Sequence, residues 1–155
     1  MKTVGDTLPP FELQDQNGEV VRDSHLRGHW TVLYCYPRDM TPGCSQEAMG
    51  FQDQQDEFLR LGVRVFGISA DSVASHTRFA TKDGLTFTLL SDPLHVLLEP
   101  LGVWKGKRLA GHDFMGTERS TFLIDPEGKI VREWRKVKVT GHIATVLAAA
   151  REALG

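Results

Sequence analysis

Cys44 is the residue whose neighbours in the sequence most clearly suggest chemistry. It follows Thr41-Pro42-Gly43, a tripeptide typical of a helix start, with Thr41 as N-cap and Pro42 in the first helical position. Cys44 then falls in the first turn, where N–H groups are unpaired and the helix dipole is positive. A thiol in that place is stabilised as thiolate, the form that attacks electrophiles. The alternative is a small buried filler, as many free cysteines are, but the residues before Cys44 favour a functional role.

The elements around this cysteine are predicted from the apolar pattern. The uniformly apolar run 31–36 predicts a buried strand that ends at Pro37. The helix is then predicted from Thr41 to about Leu61, with Gly62 as the C-cap. Cys44 is therefore expected where the carboxyl end of a central strand passes into a helix.

The remaining segments predict alternating strands and helices, and then a hairpin and a last helix. Residues 102–117 are expected to be the least regular part. The predicted elements are an N-terminal hairpin of 11–14 and 20–22 around Asn17-Gly18, strands 63–70 and 87–90, a helix from 71 or 72 to 84, a short helix 94–101, a hairpin of 121–125 and 130–135, and a helix from about 141. This order indicates the α/β class with a mixed central sheet.

The composition excludes several functional classes. The chain has 155 residues and no flexible linker, which predicts one domain over residues 1–155. A net charge of −2 gives no reason to expect nucleic acid or an anionic membrane as partner. No apolar run approaches the ~20 residues that span a bilayer. The N-terminus has no apolar signal core, so we expect a cytoplasmic protein.

Metal and cofactor sites are not predicted either. The six histidines are scattered, and none pairs with a cysteine at ligand spacing. Each is interpreted as a surface or helix-end residue. The chain also contains no glycine loop of the kind that cradles phosphates. We therefore expect neither a metal nor an organic cofactor.

The longer string around Cys44 points to a family. The run Tyr36-Pro37-Arg38-Asp39-Met40-Thr41-Pro42-Gly43-Cys44, followed by Glu47, resembles the active-site motif of the peroxiredoxins, in their bacterioferritin-comigratory branch. The resemblance continues through 119–125 and 137–142, so it covers nearly the whole chain. It implies a thioredoxin-like fold, with a mixed central sheet flanked by helices and an N-terminal β-hairpin.

The same resemblance implies a thiol-dependent peroxidase with hydrogen peroxide and organic hydroperoxides as substrates. Cys44 would attack one peroxide oxygen and become a sulfenic acid. The resemblance names Arg119 as the cationic partner of the thiolate; taken alone, Arg119 would be interpreted as a surface charge at a strand end. The hydroxyl of Thr41 is expected within about one helical turn of the sulfur, with helix capping as its alternative task. Pro37 is expected to supply an apolar wall, and it also ends the strand.

Two further residues have supporting roles. The unpaired N–H groups of Gly43 and Cys44 are the expected donors to developing negative charge. Glu47 matches the family position that orients the arginine. As an alternative, it is an acidic residue favoured near a helix N-terminus.

The chain departs from the family pattern at the position five residues after Cys44. Many relatives have a second, resolving cysteine there, whereas this chain has Met49. Cys35 lies within the predicted strand and is expected to be an inert core residue, although a bond to Cys44 after local unfolding stays open. Recycling by an external thiol, thioredoxin or another reductant, is therefore favoured, in a monomer or weak dimer.

Two other functions on the same fold stay open at this point. A thiol–disulfide oxidoreductase is disfavoured because Thr41 occupies the first position where a Cys-x-x-Cys pair would have a cysteine. A redox sensor or chaperone would use the oxidation of Cys44 to change a partner surface. The rate of reaction with peroxide separates a sensor from a peroxidase.

Overall fold

A seven-stranded mixed sheet forms the centre of the computed structural model, which describes residues 1–155. Two further strands pair only with each other. The strands are β1 (Glu12–Gln14), β2 (Val20–Arg22), β3 (Trp30–Cys35), β4 (Val63–Ser69), β5 (Thr88–Ser91), β6 (Trp104–Leu109), β7 (His112–Thr117), β8 (Ser120–Ile124) and β9 (Ile130–Trp134). The helices are α1 (Pro42–Asp53), α2 (Gln55–Arg60), α3 (Val73–Asp83) and α4 (His142–Leu154). The predicted α/β class and mixed sheet are confirmed.

The order of strands across the sheet is β2-β1-β5-β4-β3-β8-β9. Strands β3, β4 and β5 are parallel, and β8 and β9 join antiparallel to β3. Strand β1 pairs with β5 through a single residue pair, Gln14 with Ser91. Beyond that pair the side-chain amide of Gln16 continues the ladder, because it donates to the carbonyl of Phe87 (2.8 Å) and accepts from the N–H of Leu89 (2.9 Å).

The two faces of the sheet have different coverings. Side chains alternate along β3, so that Val32 and Tyr34 face one apolar cluster and Leu33 and Cys35 face the other. All four helices contribute buried side chains to the first cluster. The second cluster is closed by the N-terminal segment and by residues 97–103. The start of α1 therefore lies on the helical face of the sheet.

The predicted N-terminal hairpin is confirmed. Strands β1 and β2 pair antiparallel, with Leu13 opposite Val21. Gly18, in the turn, has φ +77°, a conformation that glycine adopts without steric cost. The hairpin of β8 and β9 and the helix α4 are also found where the sequence predicts them.

Three predictions about local structure were wrong. The first is the continuous helix to Leu61, which is interrupted at Gln54 (φ −101°, ψ 4°) between α1 and α2. Here the side-chain amide of Gln52 bonds both the N–H and the hydroxyl of Thr86, and that hydroxyl also bonds Gln55. These tertiary bonds hold the end of α1 against the segment that leads into β5.

The second is the short helix at 94–101, which is a series of turns. His95 has φ +60°, which a regular helix cannot accommodate. The Asp92 carboxylate instead accepts the N–H groups of Val96, Leu97 and Leu98 at 2.7–2.9 Å. Buried N–H groups that a helix would leave unpaired are satisfied in this way.

The third is the irregular stretch 102–117, which contains the regular hairpin of β6 and β7. Its two-residue turn, Ala110 and Gly111, has positive φ at both positions (51° and 80°), as a type I′ turn requires. Most residues of these two strands are at least partly exposed. The apolar alternation that normally identifies a strand is therefore missing.

None of the helices is long and apolar enough to span a bilayer.

Candidate active site

Cys44 lies in the first turn of α1, as its sequence context predicts. Thr41 has the extended backbone of an N-cap residue (φ −87°, ψ 153°), and Pro42 is the first helical residue. A loop, residues 36–41, joins the carboxyl end of β3 to the helix. Cys44 is only 1% exposed. The sulfur is thus held in a nearly dry site at the positive end of a helix.

Arg119 comes to this sulfur from a distant part of the chain. It directly precedes β8, and the antiparallel pairing places Ser120 opposite Cys35, the last residue of β3. The side chain of Arg119 is therefore delivered to the point where α1 begins. Its Nη2 lies 3.3 Å from Sγ of Cys44. Since the guanidinium is always charged, it places a positive charge next to the sulfur.

Glu47 fixes the other end of the guanidinium. One carboxylate oxygen accepts from Nη1 of Arg119 at 2.6 Å, and the side chain is completely buried. Its second oxygen has no hydrogen-bond partner. Burial raises the pKa of Glu47 to about 7, although the charge of Arg119 opposes this rise. The arginine thus bridges a sulfur and a carboxylate with two separate nitrogens.

Thr41 and Gly43 border the sulfur in different ways. The hydroxyl of Thr41 donates to the carbonyl oxygen of Arg38 at 3.0 Å, so it neither caps α1 nor bonds the sulfur in this structure. The N–H groups of Gly43 and Cys44 donate to no other group of the protein. A Cβ at Gly43 would lie 3.3 Å from Nη2 of Arg119, so the glycine leaves space for the guanidinium.

Pro37 is placed on the outside of this arrangement. It is exposed and lies two residues beyond the end of β3. It lines a cavity of about 460 Å³ whose other wall includes Trp104, Lys107 and Phe114 of the β6–β7 hairpin. Pro37 therefore borders a cavity whose lining includes none of Thr41, Cys44 and Arg119.

Cys35 is separated from Cys44 by the sheet. Its side chain is fully buried in the second apolar cluster, whereas Cys44 packs in the first. Both thiols are free. Burial raises the pKa of the Cys35 thiol well above its usual range. The structure does not bring Cys35 into the site.

One of the six histidines, His76, was assigned wrongly from the sequence. His76 is completely buried in α3, where it lies 2.6 Å from the carboxylate of Asp39. His142 begins α4, as a helix-end residue, but it is buried and bonds Thr121 at 2.8 Å. Burial and the charge of Arg119 lower its pKa to about 4. Asp39 stands within the motif around Cys44, but nothing in the sequence identifies its partner in α3.

One group of side chains has metal-ligand types within reach of one another. Asp39, Asp71 and His76 have ligating atoms within 4.8 Å. These atoms also hydrogen-bond one another and neighbouring hydroxyl and N–H groups. The group lies beside the loop that precedes α1.

Comparison with known proteins places these features in a family. The AhpC/TSA family matches residues 4–133. Peroxiredoxin Bcp of Bacillus subtilis is 46% identical over 149 residues, covering 96% of this chain and 95% of the relative. Peroxiredoxin Bcp of Escherichia coli is 43% identical over 143 residues, covering 92% of each.

Solved structures show the same similarity. A cysteine-to-serine variant of Xylella fastidiosa PrxQ has a TM-score of 0.95 at 38% identity and covers 100% of this chain and 99% of that one. The bacterioferritin comigratory protein of Xanthomonas campestris, studied for its alkyl peroxide reduction activity, has a TM-score of 0.89 at 41% identity, covering 94% and 92%.

Proposed function

The chain belongs to the AhpC/TSA family, among the peroxiredoxins, and is a thiol peroxidase; from this premise we propose that Cys44 is its peroxidatic residue. Arg119, Thr41 and the free N–H groups of the first turn of α1 complete the proposed site. The observation that carries the proposal is the 3.3 Å contact between the guanidinium of Arg119 and Sγ of Cys44. Cys35 has no such cation in contact with its sulfur.

The proposed reaction is a displacement at oxygen. The Cys44 thiolate attacks one oxygen of the hydroperoxide, an S–O bond forms, and the O–O bond breaks. Sulfur is oxidised to the sulfenic acid, and the peroxide is reduced to water or an alcohol. The departing oxygen leaves with the electron pair of the broken bond and takes up a proton.

The protein contributes position and charge to this step. The guanidinium is already oriented by Glu47 before the peroxide arrives, so little reorganisation accompanies the reaction. The N–H groups of Gly43 and Cys44 are available to the oxygen on which negative charge develops. The Thr41 hydroxyl can exchange the Arg38 carbonyl for the substrate by rotation about χ1. Pro37 has no N–H that could compete for the thiolate.

The substrates that we propose are hydrogen peroxide and organic hydroperoxides. The support is the alkyl peroxide reduction described for the Xanthomonas campestris relative. Stopped-flow mixing of the reduced protein with hydrogen peroxide and with tert-butyl hydroperoxide, followed by tryptophan fluorescence, measures both rates. Rates no higher than those of a free thiol would contradict the proposal.

Recycling is proposed to use an external thiol, thioredoxin or another reductant. Met49 occupies the position where many relatives have a resolving cysteine. Cys35 lies on the opposite face of the sheet from Cys44 and cannot reach it without unfolding. After one equivalent of peroxide, intact mass should show the addition of one oxygen. An intramolecular disulfide in good yield would contradict the one-cysteine route.

A further inference from the structure

A buried hydrogen-bonded cluster joins the loop before α1 to helix α3. The Asp39 carboxylate accepts from the hydroxyl of Tyr36 at 2.6 Å and from that of Ser75 at 2.8 Å. It also lies 2.6 Å from Nδ1 of His76. Asp39 and His76 have side chains 1% and 0% exposed. One carboxylate thus connects the end of β3, the loop and α3.

The protons of this cluster can be assigned from its acceptors. Nε2 of His76 lies 2.9 Å from the carbonyl oxygen of Leu90, which only accepts, so Nε2 bears a proton. Nδ1 and the Asp39 carboxylate share one hydrogen bond. Each polar atom of the pair already has a protein partner, so the cluster is complete without a cation.

The loop that this cluster holds is the one that leads to the cysteine. Met40 follows Asp39 with φ +60°, a region that residues other than glycine rarely occupy. The N–H of Asp39 donates to Asp71 at 2.9 Å, and Ser69 bonds the same carboxylate oxygen. Met40 is followed by Thr41, the N-cap residue of α1. A backbone bend of this kind persists only where its surroundings hold it in place.

We propose that Asp39 and His76 are positioning residues, which fix the first turn of α1 so that Thr41 and Cys44 meet the peroxide in line. This inference rests on the proposed peroxidase function. Neither residue touches the sulfur; they act through the backbone of residues 39–41. A small displacement of a reacting group is enough to slow a reaction by about 100-fold.

The test compares two variants that lose stability at different places. His76→Gln keeps a polar side chain but cannot bond both Asp39 and Leu90 as the imidazole does. Leu26→Ala removes a buried side chain from the opposite face of the sheet and serves as the control. Urea unfolding is used to compare their losses of stability. Each variant is then assayed for oxidation of Cys44 by peroxide and for alkylation by iodoacetamide.

Peroxide reduction needs the full geometry, whereas alkylation needs only an accessible thiolate. We expect His76→Gln to slow the peroxide reaction by about 10- to 100-fold and alkylation by less than about threefold. Leu26→Ala should change neither rate by more than about twofold. An equal loss in both reactions for His76→Gln, or a peroxide rate within about threefold of the wild type, would overturn the proposal.

Amide hydrogen exchange in residues 45–47 gives a readout that does not depend on peroxidase activity. Exchange should be faster in His76→Gln than in Leu26→Ala, and equal exchange in the two variants contradicts the positioning role. If the wild type reacts only at the free-thiol rate, the proposed function fails and exchange alone decides about Asp39 and His76. If His76→Gln does not fold, Tyr36→Phe and Ser75→Ala each remove one donor and are judged by the same selectivity for peroxide.

Discussion

The two cysteines of this chain are almost equally buried but have opposite chemical environments. Cys44 is 1% exposed and Cys35 is 0% exposed. Cys44 lies at the start of α1 with a guanidinium 3.3 Å from its sulfur. Cys35 lies at the end of β3 among apolar side chains on the other face of the sheet. The two thiols therefore differ not in exposure but in the charge next to the sulfur.

The largest expected effect comes from replacing each of the two cysteines by serine, one at a time. Cys44→Ser should eliminate peroxide consumption, because the proposed nucleophile is lost. Cys35→Ser should leave the rate within about twofold, since its thiol takes no part in the reaction. Peroxide consumption with dithiothreitol as reductant measures both. Comparable losses from both variants would remove the distinction between the two sites.

The second effect tests the cation that distinguishes Cys44. Arg119→Met should lower the second-order rate constant with hydrogen peroxide by about 10²- to 10³-fold, because one charged donor at the transition state is lost. Arg132→Met removes an exposed arginine whose partner, Glu152, is also exposed, and it should have no effect. Stopped-flow fluorescence measures both rates. Loss of less than about threefold in Arg119→Met would show that the thiolate does not depend on this contact.

The third effect concerns the titration of Glu47. Because its pKa in the folded protein is raised to about 7 from 4.5, the folded state binds the proton more tightly than the unfolded state. The stabilisation of the folded state by this protonated carboxyl group is thus fully present below pH 4.5 and is lost as the pH rises to about 7. The loss amounts to about 3 kcal/mol.

Glu47→Gln should remove this loss, since glutamine does not titrate. The free energy of unfolding in urea, measured at pH 5 and pH 8, should therefore fall more between these pH values in the wild type than in Glu47→Gln. The exposed Glu152→Gln serves as the control. His142, with its pKa lowered to about 4, contributes the opposite slope between pH 4 and 6.5 in both proteins. Equal slopes in wild type and Glu47→Gln would contradict the raised pKa.

The smallest expected effect is an absence of reaction at Cys35. Burial raises the pKa of this thiol, so almost no thiolate is present near neutral pH. Iodoacetamide should therefore modify the folded protein only at Cys44, and peptide mass spectrometry identifies the site. Labelling of Cys35 at a similar rate would show that the second apolar cluster, which contains Cys35, opens readily to solvent.

The sequence predicted the part of the site that is local in the chain. The apolar run of β3, the stop at Pro37 and the start of α1 place Cys44 correctly because each signal acts over a few residues. The meeting of Arg119 with Cys44 was predicted from the family resemblance, since no pattern in the sequence specifies which distant strand end faces α1. The family and the fold class are confirmed by the comparisons.

The remaining differences have physical causes. The β6–β7 hairpin was not predicted because its polar and apolar side chains alike are largely exposed, so burial imposes no alternation on them. The turns after Asp92 depend on the carboxylate of this residue, which accepts hydrogen bonds from backbone N–H groups of the residues that follow. The pairing of Asp39 with His76 joins two segments far apart in the chain. Such long-range polar pairs have no periodic signature.

The side chain of Gln16 has a consequence for how copies of this protein behave towards one another. With its amide bonded to Phe87 and Leu89, it occupies backbone groups of the residues around the start of β5 that a foreign strand would otherwise bind. Unpaired strand edges are templates for aggregation. A single glutamine at this position thus occupies main-chain groups that could otherwise pair with a strand of another molecule. It therefore disfavours aggregation of the protein through this part of the sheet.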